Sequence, residues 1–526
     1  MKHLLSLLIA VFFCGIVSAQ TVADSVLRAN MEAELALSYI RPVVKPVAPD
    51  SADVKRLEHK SFWRASAEVV GLNMGVWAFD RYVQKGEFAY ISWNTVKENF
   101  KHGFEWDNDH LSTNIFAHPY NGSMYYNAGR SNGFNFWQSS LFAIGGSAMW
   151  EMFMEKEYPS TNDIIATPIG GTAIGEVFYR TSDLVLDDRS WGGERLGREV
   201  AAFVISPMRG FTRIVTGRAW ERRPTSGRRF GTPPVRLSFS LGSRMLLFHD
   251  GRNYSKAGLT GRVNIEYGNK FSGHTRYPYD YFTLLVDLDV MKTQPVLSRL
   301  EIKGRLLSKE IFDSKSGHVS VGLYQHFDFM DSDTISDSGN NHLQECLVPY
   351  KLGIPASLGG GTVARYTHDA QWQVEGFAHV NAVFLGGILT DFYRNYHRNY
   401  NWGSGFSLKG GFHWFNHALG LNAGANARFY RIYTLKGCEL DYLEYPDLLE
   451  PNVQGDKCNT SFINLNLHCN YRIWKKLYAT VMFDWYRRYS HYLELNLKDA
   501  GEMYPAASPI FTSDQIGLKL MLTYNL

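Results

Sequence analysis

The sequence predicts a mostly β protein: an antiparallel transmembrane β-barrel of about twelve strands, with an N-terminal α-helical domain packed in or under it. Three observations predict this. An apolar N-terminal leader marks the chain for export, and no later window holds the ~20 nearly uncharged apolar residues of a spanning helix. From Pro233 onward, apolar and polar residues alternate with period two. An exported chain that enters a membrane without spanning helices crosses it as a closed barrel, because open strand edges have no partners in lipid.

In the leader, Lys2 and His3 precede an apolar run from Leu4 to Val17, and Val17-Ser18-Ala19 is a small-residue cleavage site. Cleavage near Ala19 and an outer-membrane location are expected. The residues before Cys14 are Val11, Phe12 and Phe13, which do not form a lipidation site, so no lipid anchor is expected. Residues 20–57 read as a leader and linker with a short helix at Asp24 to Tyr39 and a Pro-rich tail. A net charge of +3 on 526 residues gives no basic bias. No nucleic-acid partner is expected; outer-membrane lipid is, together with a periplasmic or envelope partner as a further option.

Residues 58–217 read as the helical domain. Phe62, Ala65, Val69, Leu72, Val76 and Phe79 follow helical spacing, and Ser92 caps a short helix to Phe100. Asp107, His110, Asn114 and His118 lie at intervals of 3, 4 and 4, one polar face of a helix that would end at Pro119. Phe134 to Lys156 is a stronger helix, and Thr167-Pro168 looks like the cap and first turn of the next. Small residues four apart, Ala143 with Ser147 and Gly171 with Gly175, predict that these two helices form a tight hairpin. Ser190 to Ile205 is one more helix, ended by Pro207. The seven arginines between Arg209 and Arg229 would rest on lipid headgroups or belong to a solvated linker, with residues 218–232 as its core.

Residues 233–526 supply the barrel. Twelve alternating segments run from Val235 to Tyr524, with long connections at Asp331 to His342, Gly387 to Asn401, Lys436 to Lys457 and His491 to Thr512, and short ones between. This alternation of long loops and short turns is what a barrel with both termini on one side requires; it is less clean between the second and fifth strands. Cys438 and Cys458 flank a Pro-containing loop and can form a disulfide, or remain two thiols. Asp391 to Tyr400 is a polar aromatic patch on an outer loop.

The stretch Ser92 to Gly217 resembles an uncharacterised family, domain of unknown function 3943, through DNDHLSTNIFAHPYNGSMYYNAGRSNG, the Trp150-Glu151 pair, PSTNDIIATPIGGTAIGE, YRTSDLVLDD and the Pro207-Met208-Arg209-Gly210 turn. The resemblance implies an exported bacterial envelope protein and carries no reaction.

The candidate catalytic residues are Asp107, Asp109, His110, His118 and Glu151, since a histidine beside a carboxylate is oriented and made more basic for proton transfer. No metal centre and no cofactor are assigned: His110 and His118 stand two turns, ~12 Å, apart along a helix. The alternative is a structural polar network of Glu151, Glu176, Arg180 and Asp183 where the helices plug or cap the barrel. The leading expectation is a plugged barrel serving transport or scaffolding in the envelope. The alternatives are an enzyme acting on outer-membrane lipid or glycan and a docking module for a periplasmic partner.

Overall fold

The computed structural model describes residues 46–107, 109–249, 252–291, 294–332, 348–368, 371–391, 400–435, 457–493 and 510–526. The leader, the Asp24 to Tyr39 helix, Cys346, Cys438 and most of the Asp391 to Tyr400 patch lie outside these residues, and with Cys438 the choice between a disulfide to Cys458 and two thiols.

Twelve strands close into an antiparallel barrel, with β1 hydrogen-bonded to β12. They are β1 (Val235–His249), β2 (Arg252–Tyr267), β3 (Phe282–Val290), β4 (Leu297–Asp313), β5 (Gly317–Asp331), β6 (Lys351–Thr367), β7 (Trp372–Leu389), β8 (Tyr400–Asn416), β9 (Leu421–Thr434), β10 (Cys458–Trp474), β11 (Leu477–Tyr492) and β12 (Ile510–Asn525). The strand count is the expected one. β6 sits later than its alternating segment because its second half, Leu358-Gly359-Gly360-Gly361, offers little apolar contrast to read. Both barrel termini lie at the end with the short turns, the turn end; the long connections gather at the loop end. Residues 268–281, a long connection at the turn end, break the early loop rhythm.

Successive side chains alternate between lumen and outer wall. Arg262, Asp287, Arg299, Glu301, Asp328, Lys409, Arg428 and Asp484 point inward and pair across the interior. Arg299 of β4 reaches Asp484 of β11 (3.4 Å) and Arg428 of β9 reaches Glu301 of β4 (2.8 Å). Towards the loop end the lumen is filled: Tyr350 stacks on Tyr486 (4.5 Å between ring centroids) and meets Phe462 (5.1 Å), beside Met330, Ile354 and Tyr430. Aromatic and aliphatic side chains therefore occupy the interior at that level.

Eight α-helices precede the barrel among the described residues: α1 (Ser51–Leu57), α2 (Phe62–Phe79), α3 (Trp93–His102), α4 (His118–Ser131), α5 (Phe136–Phe153), α6 (Thr161–Val185), α7 (Gly192–Ile205) and α8 (Pro207–Val215). Ser92, Asn135 and Ser160 cap α3, α5 and α6 through their side chains. α6 therefore starts six residues before Thr167 and carries Pro168 inside it. The helical run also continues through Pro119, because a π-turn at Thr113–Ala117 widens the backbone where proline has no N–H to give.

α2, α4, α5 and α6 form a bundle whose tightest contact joins α4 to α6, not α5 to α6 as the spacing of small residues suggested. A Cβ on Gly122 would lie 1.9 Å from the Thr167 carbonyl oxygen, and one on Gly171 would lie 2.6 Å from the Cα of Gly122. Gly146 of α5 takes the ring of Tyr125.

The bundle does not enter the lumen. Its contacts fall on the residues of opposite parity to the lumen set: Ile115 beside Gly353, Leu111 beside Gly387, Gly170 against Phe327, Phe116 on Phe329 (4.7 Å), and Gln325 donating to the Ile169 carbonyl (2.9 Å). These are outer-wall positions. The footprint runs from Tyr267, last residue of β2 at the turn end, where the Arg180 guanidinium donates to its hydroxyl (3.4 Å), to Tyr400, first residue of β8 at the loop end, which takes a hydrogen bond from Asn114 (2.8 Å). The expected packing in or under the barrel, and with it the plug, is corrected to lateral docking. The long 268–281 connection belongs to the same interface, with Tyr279 stacked on Phe136 and the Pro278 carbonyl accepting from Arg180.

Candidate functional site

The polar residues of the bundle separate into two clusters, one at each end. At the turn end, Glu176 (fully buried) accepts from Arg130 (2.8 and 3.0 Å), Arg180 (2.7 Å) and Tyr126 (2.7 Å). Asp183 does not join Arg180, as its spacing suggested; it pairs with Arg209 (2.5 Å) and accepts from the backbone of Arg229 and Phe230. Asp188 gathers Arg213, Arg195 and Arg56 at 2.8, 3.1 and 3.1 Å. Arg209, Arg213 and Arg229 are thus internal ties, neither headgroup contacts nor a solvated linker, and two of them sit on or beside α8, a helix the sequence reading did not contain.

Glu151 belongs to the other cluster, so the expected complementarity between Glu151 and Arg180 is absent: they occupy opposite ends of the bundle. At the loop end the π-turn rotates the chain so that His118 faces inward. Its Nε2 lies 3.4 Å from Asp109 Oδ2 and 3.7 Å from Asp163 Oδ2. The ligand atoms of His118, Glu151 and Asp163 lie within 4.8 Å of one another. Glu151 accepts from the Ser160 amide (2.8 Å), and Asp107 accepts from the Ser160 hydroxyl and Asn162 (2.9 Å each). These carboxyl groups collect where the N-terminal amides of α6 carry partial positive charge. Asn162 also donates to Asn114 (2.9 Å), which ties the cluster through Tyr400 to the barrel.

Four of the five candidate catalytic residues, Asp107, Asp109, His118 and Glu151, therefore converge. His110 is exposed. Asp163 was missed, and so was Glu155, a half-buried carboxylate near His118 that accepts from the Trp150 indole. Asp163 was legible as the third residue after the Ser160 cap, a pattern overshadowed by Thr167-Pro168. Asp109 is half exposed while Asp163 is almost fully buried, so the imidazole bridges an open carboxylate and a closed one. A histidine held between two carboxylates is favoured in its charged, proton-donating form. The set of one imidazole and two carboxylates also has the composition of a divalent-cation site.

Residues 103–208 match the family model described as Domain of unknown function (DUF3943). The DUF3943 segment runs from the end of α3 to the start of α8 and contains the whole loop-end cluster and the Glu176 network. No curated protein matches the chain. Among solved structures, it is similar to the NanC porin (8% identity, TM-score 0.24, covering 54% of this chain and 98% of that one) and the KdgM porin (9%, 0.21, 55% and 98%). A third is the outer membrane channel DcaP of Acinetobacter baumannii (7%, 0.23, 56% and 97%).

Proposed function

We propose that the protein is an outer-membrane scaffold whose barrel anchors the helical bundle within the bilayer instead of serving as an open pore. One observation carries this reading: a diagonal band of outer-wall residues, from Tyr267 at the end of β2 through Phe282, Phe327 and Phe329 to Tyr400 at the start of β8, is buried under the helices and the 268–281 connection where lipid would otherwise lie. The cross-lumen pairs and the packed loop-end interior support it. The far side of the bundle is apolar in turn, with Trp63, Val70 and Met74 on α2 and Trp137, Leu141 and Ile144 on α5 exposed. α7 and α8 present Leu196, Val200, Phe203, Val204, Phe211 and Ile214 at the turn end, the periplasmic side in this reading, in the manner of interfacial helices.

Spin labels at positions 63, 141 and 200 of reconstituted protein, with the native cysteines replaced by serine, test it. Labels at all three sites are expected to be accessible to oxygen and shielded from a water-soluble nickel chelate. Free access of the chelate to positions 63 and 141 would place the bundle in water and overturn the proposal.

A second reading, envelope-lipid or glycan chemistry at His118, is favoured by the half-open Asp109–His118 pair at the loop end. Cells carrying His118→Ala are expected to accumulate an unprocessed outer-membrane lipid or glycan species by mass spectrometry. A profile identical to wild type would remove this reading and leave the scaffold standing.

A further inference from the structure

Below the cross-lumen pairs, the barrel holds a cavity of about 490 Å³ that reaches the turn-end strand residues Arg236, Asn422, Asn470 and Asn525. Eight basic and four acidic side chains line it. Six of the bases are matched by carboxylates. Arg428 and Arg299 make the cross-lumen pairs, and Arg236 meets Glu266 (3.0 Å), Lys270 Glu375 (2.9 Å), Arg262 Asp287 (2.6 Å) and Lys409 Asp328 (2.5 Å).

Two have no carboxylate partner among the described residues. Lys303 rests only on aromatic faces, its ammonium 4.6 Å from the ring of Phe377, and Arg365 lies over Phe271 with its Nε buried and without an acceptor. A third donor is set by its neighbour. The Lys409 ammonium, a donor only, lies 3.0 Å from His326 Nδ1, so that nitrogen accepts and the ring proton resides on Nε2. His326 is 2% exposed, lines the cavity, and its Nε2 has no partner.

Buried donors without acceptors are costly, and a lumen with spare cations attracts negative charge. We propose that this cavity binds a small organic anion entering from the turn end, its carboxylate or phosphate received by Lys303, Arg365 and the Nε2–H of His326. The volume is within the range of small-molecule sites, and the rings of Phe377 and Phe271 beside the two free cations give the organic part a flat apolar surface.

Titration calorimetry of the full mature protein in detergent, with glucose 6-phosphate, glucuronate and neutral glucose as probes, tests it. At least one acidic sugar is expected to bind, with affinity falling as salt rises, while glucose does not. The two acidic probes separate a phosphate site from a carboxylate site. Lys303→Met and Arg365→Met are each expected to weaken binding about 10-fold or more, the usual loss of a charge-assisted hydrogen bond. His326→Gln, which keeps a donor near Nε2, retains more affinity than His326→Ala. Neither lysine nor arginine leaves a carboxylate orphaned when removed, so both variants should keep the heat-modifiable gel migration of a folded barrel. No binding of either acidic sugar at millimolar concentration, or binding unchanged in both methionine variants, would overturn the proposal.

Discussion

Glu176→Ala is expected to destabilise the helical bundle by about 3–5 kcal/mol, the penalty of leaving buried charge without its partner. Two guanidinium groups converge on this one carboxylate, and Arg130, Arg180 and Glu176 are all at most 3% exposed. Removing the acid leaves both cations buried, repelling each other, and strands the Tyr126 hydroxyl. Urea unfolding followed by tryptophan fluorescence, with limited proteolysis to show which part opens, measures the effect. The barrel should persist while the bundle is cleaved. The double replacement Arg130→Met with Glu176→Leu is expected to recover part of the loss, because a packed apolar pair of similar volume carries no desolvation penalty. A loss below ~1 kcal/mol in Glu176→Ala would show that the network does not hold the bundle, since that is the scale of an exposed pair.

The second large effect is steric. Gly122→Ala puts a methyl 1.9 Å from the Thr167 carbonyl oxygen, a backbone atom that cannot swing aside as a side chain would. The helices must separate along their closest line, and a loss of at least ~3 kcal/mol is expected, the upper end for overpacked cores. Gly145→Ala is the control. Nothing lies within 4 Å of its Cβ position, so the substitution should be neutral or stabilise by up to ~1 kcal/mol through helix propensity. Equal effects in the two variants would contradict the α4–α6 contact.

The strands were legible because each must satisfy two solvents at once, and the period-two contrast survives wherever one side is ionic and the other apolar, as in Arg262 against Val263. The side on which the helices dock was not legible. Tyr267, Phe282, Phe327 and Phe329 cover the helix-facing wall, and lipid would select the same residue types, so nothing in the strand sequence separates a bilayer neighbour from a protein one. α4 escaped for a different reason. Its sequence, His118-Pro119-Tyr120-Asn121-Gly122-Ser123, is rich in turn formers, and the small residues that look like helix breakers are what permit the contact with α6. The site was half visible: a polar stripe on one helical face brought Asp107 and His118 into view, while Asp163 on another helix needed the fold to arrive beside them.

No described helix is long and apolar enough to cross a membrane by itself. Yet α2 carries Arg64 and Glu68, α4 Arg130, α5 Glu151, and α6 Asp163, Glu176 and Arg180, each hidden in the assembled bundle apart from the partly covered Arg64. In the chain before it folds these residues are bare. A charged side chain at a helix centre opposes lateral insertion by about 2.5–3.5 kcal/mol, enough to keep a segment of modest hydropathy moving through the translocation channel. Under the scaffold role proposed above, the charges that neutralise one another in the folded bundle would also keep helices bound for the outer membrane from stopping in the inner one.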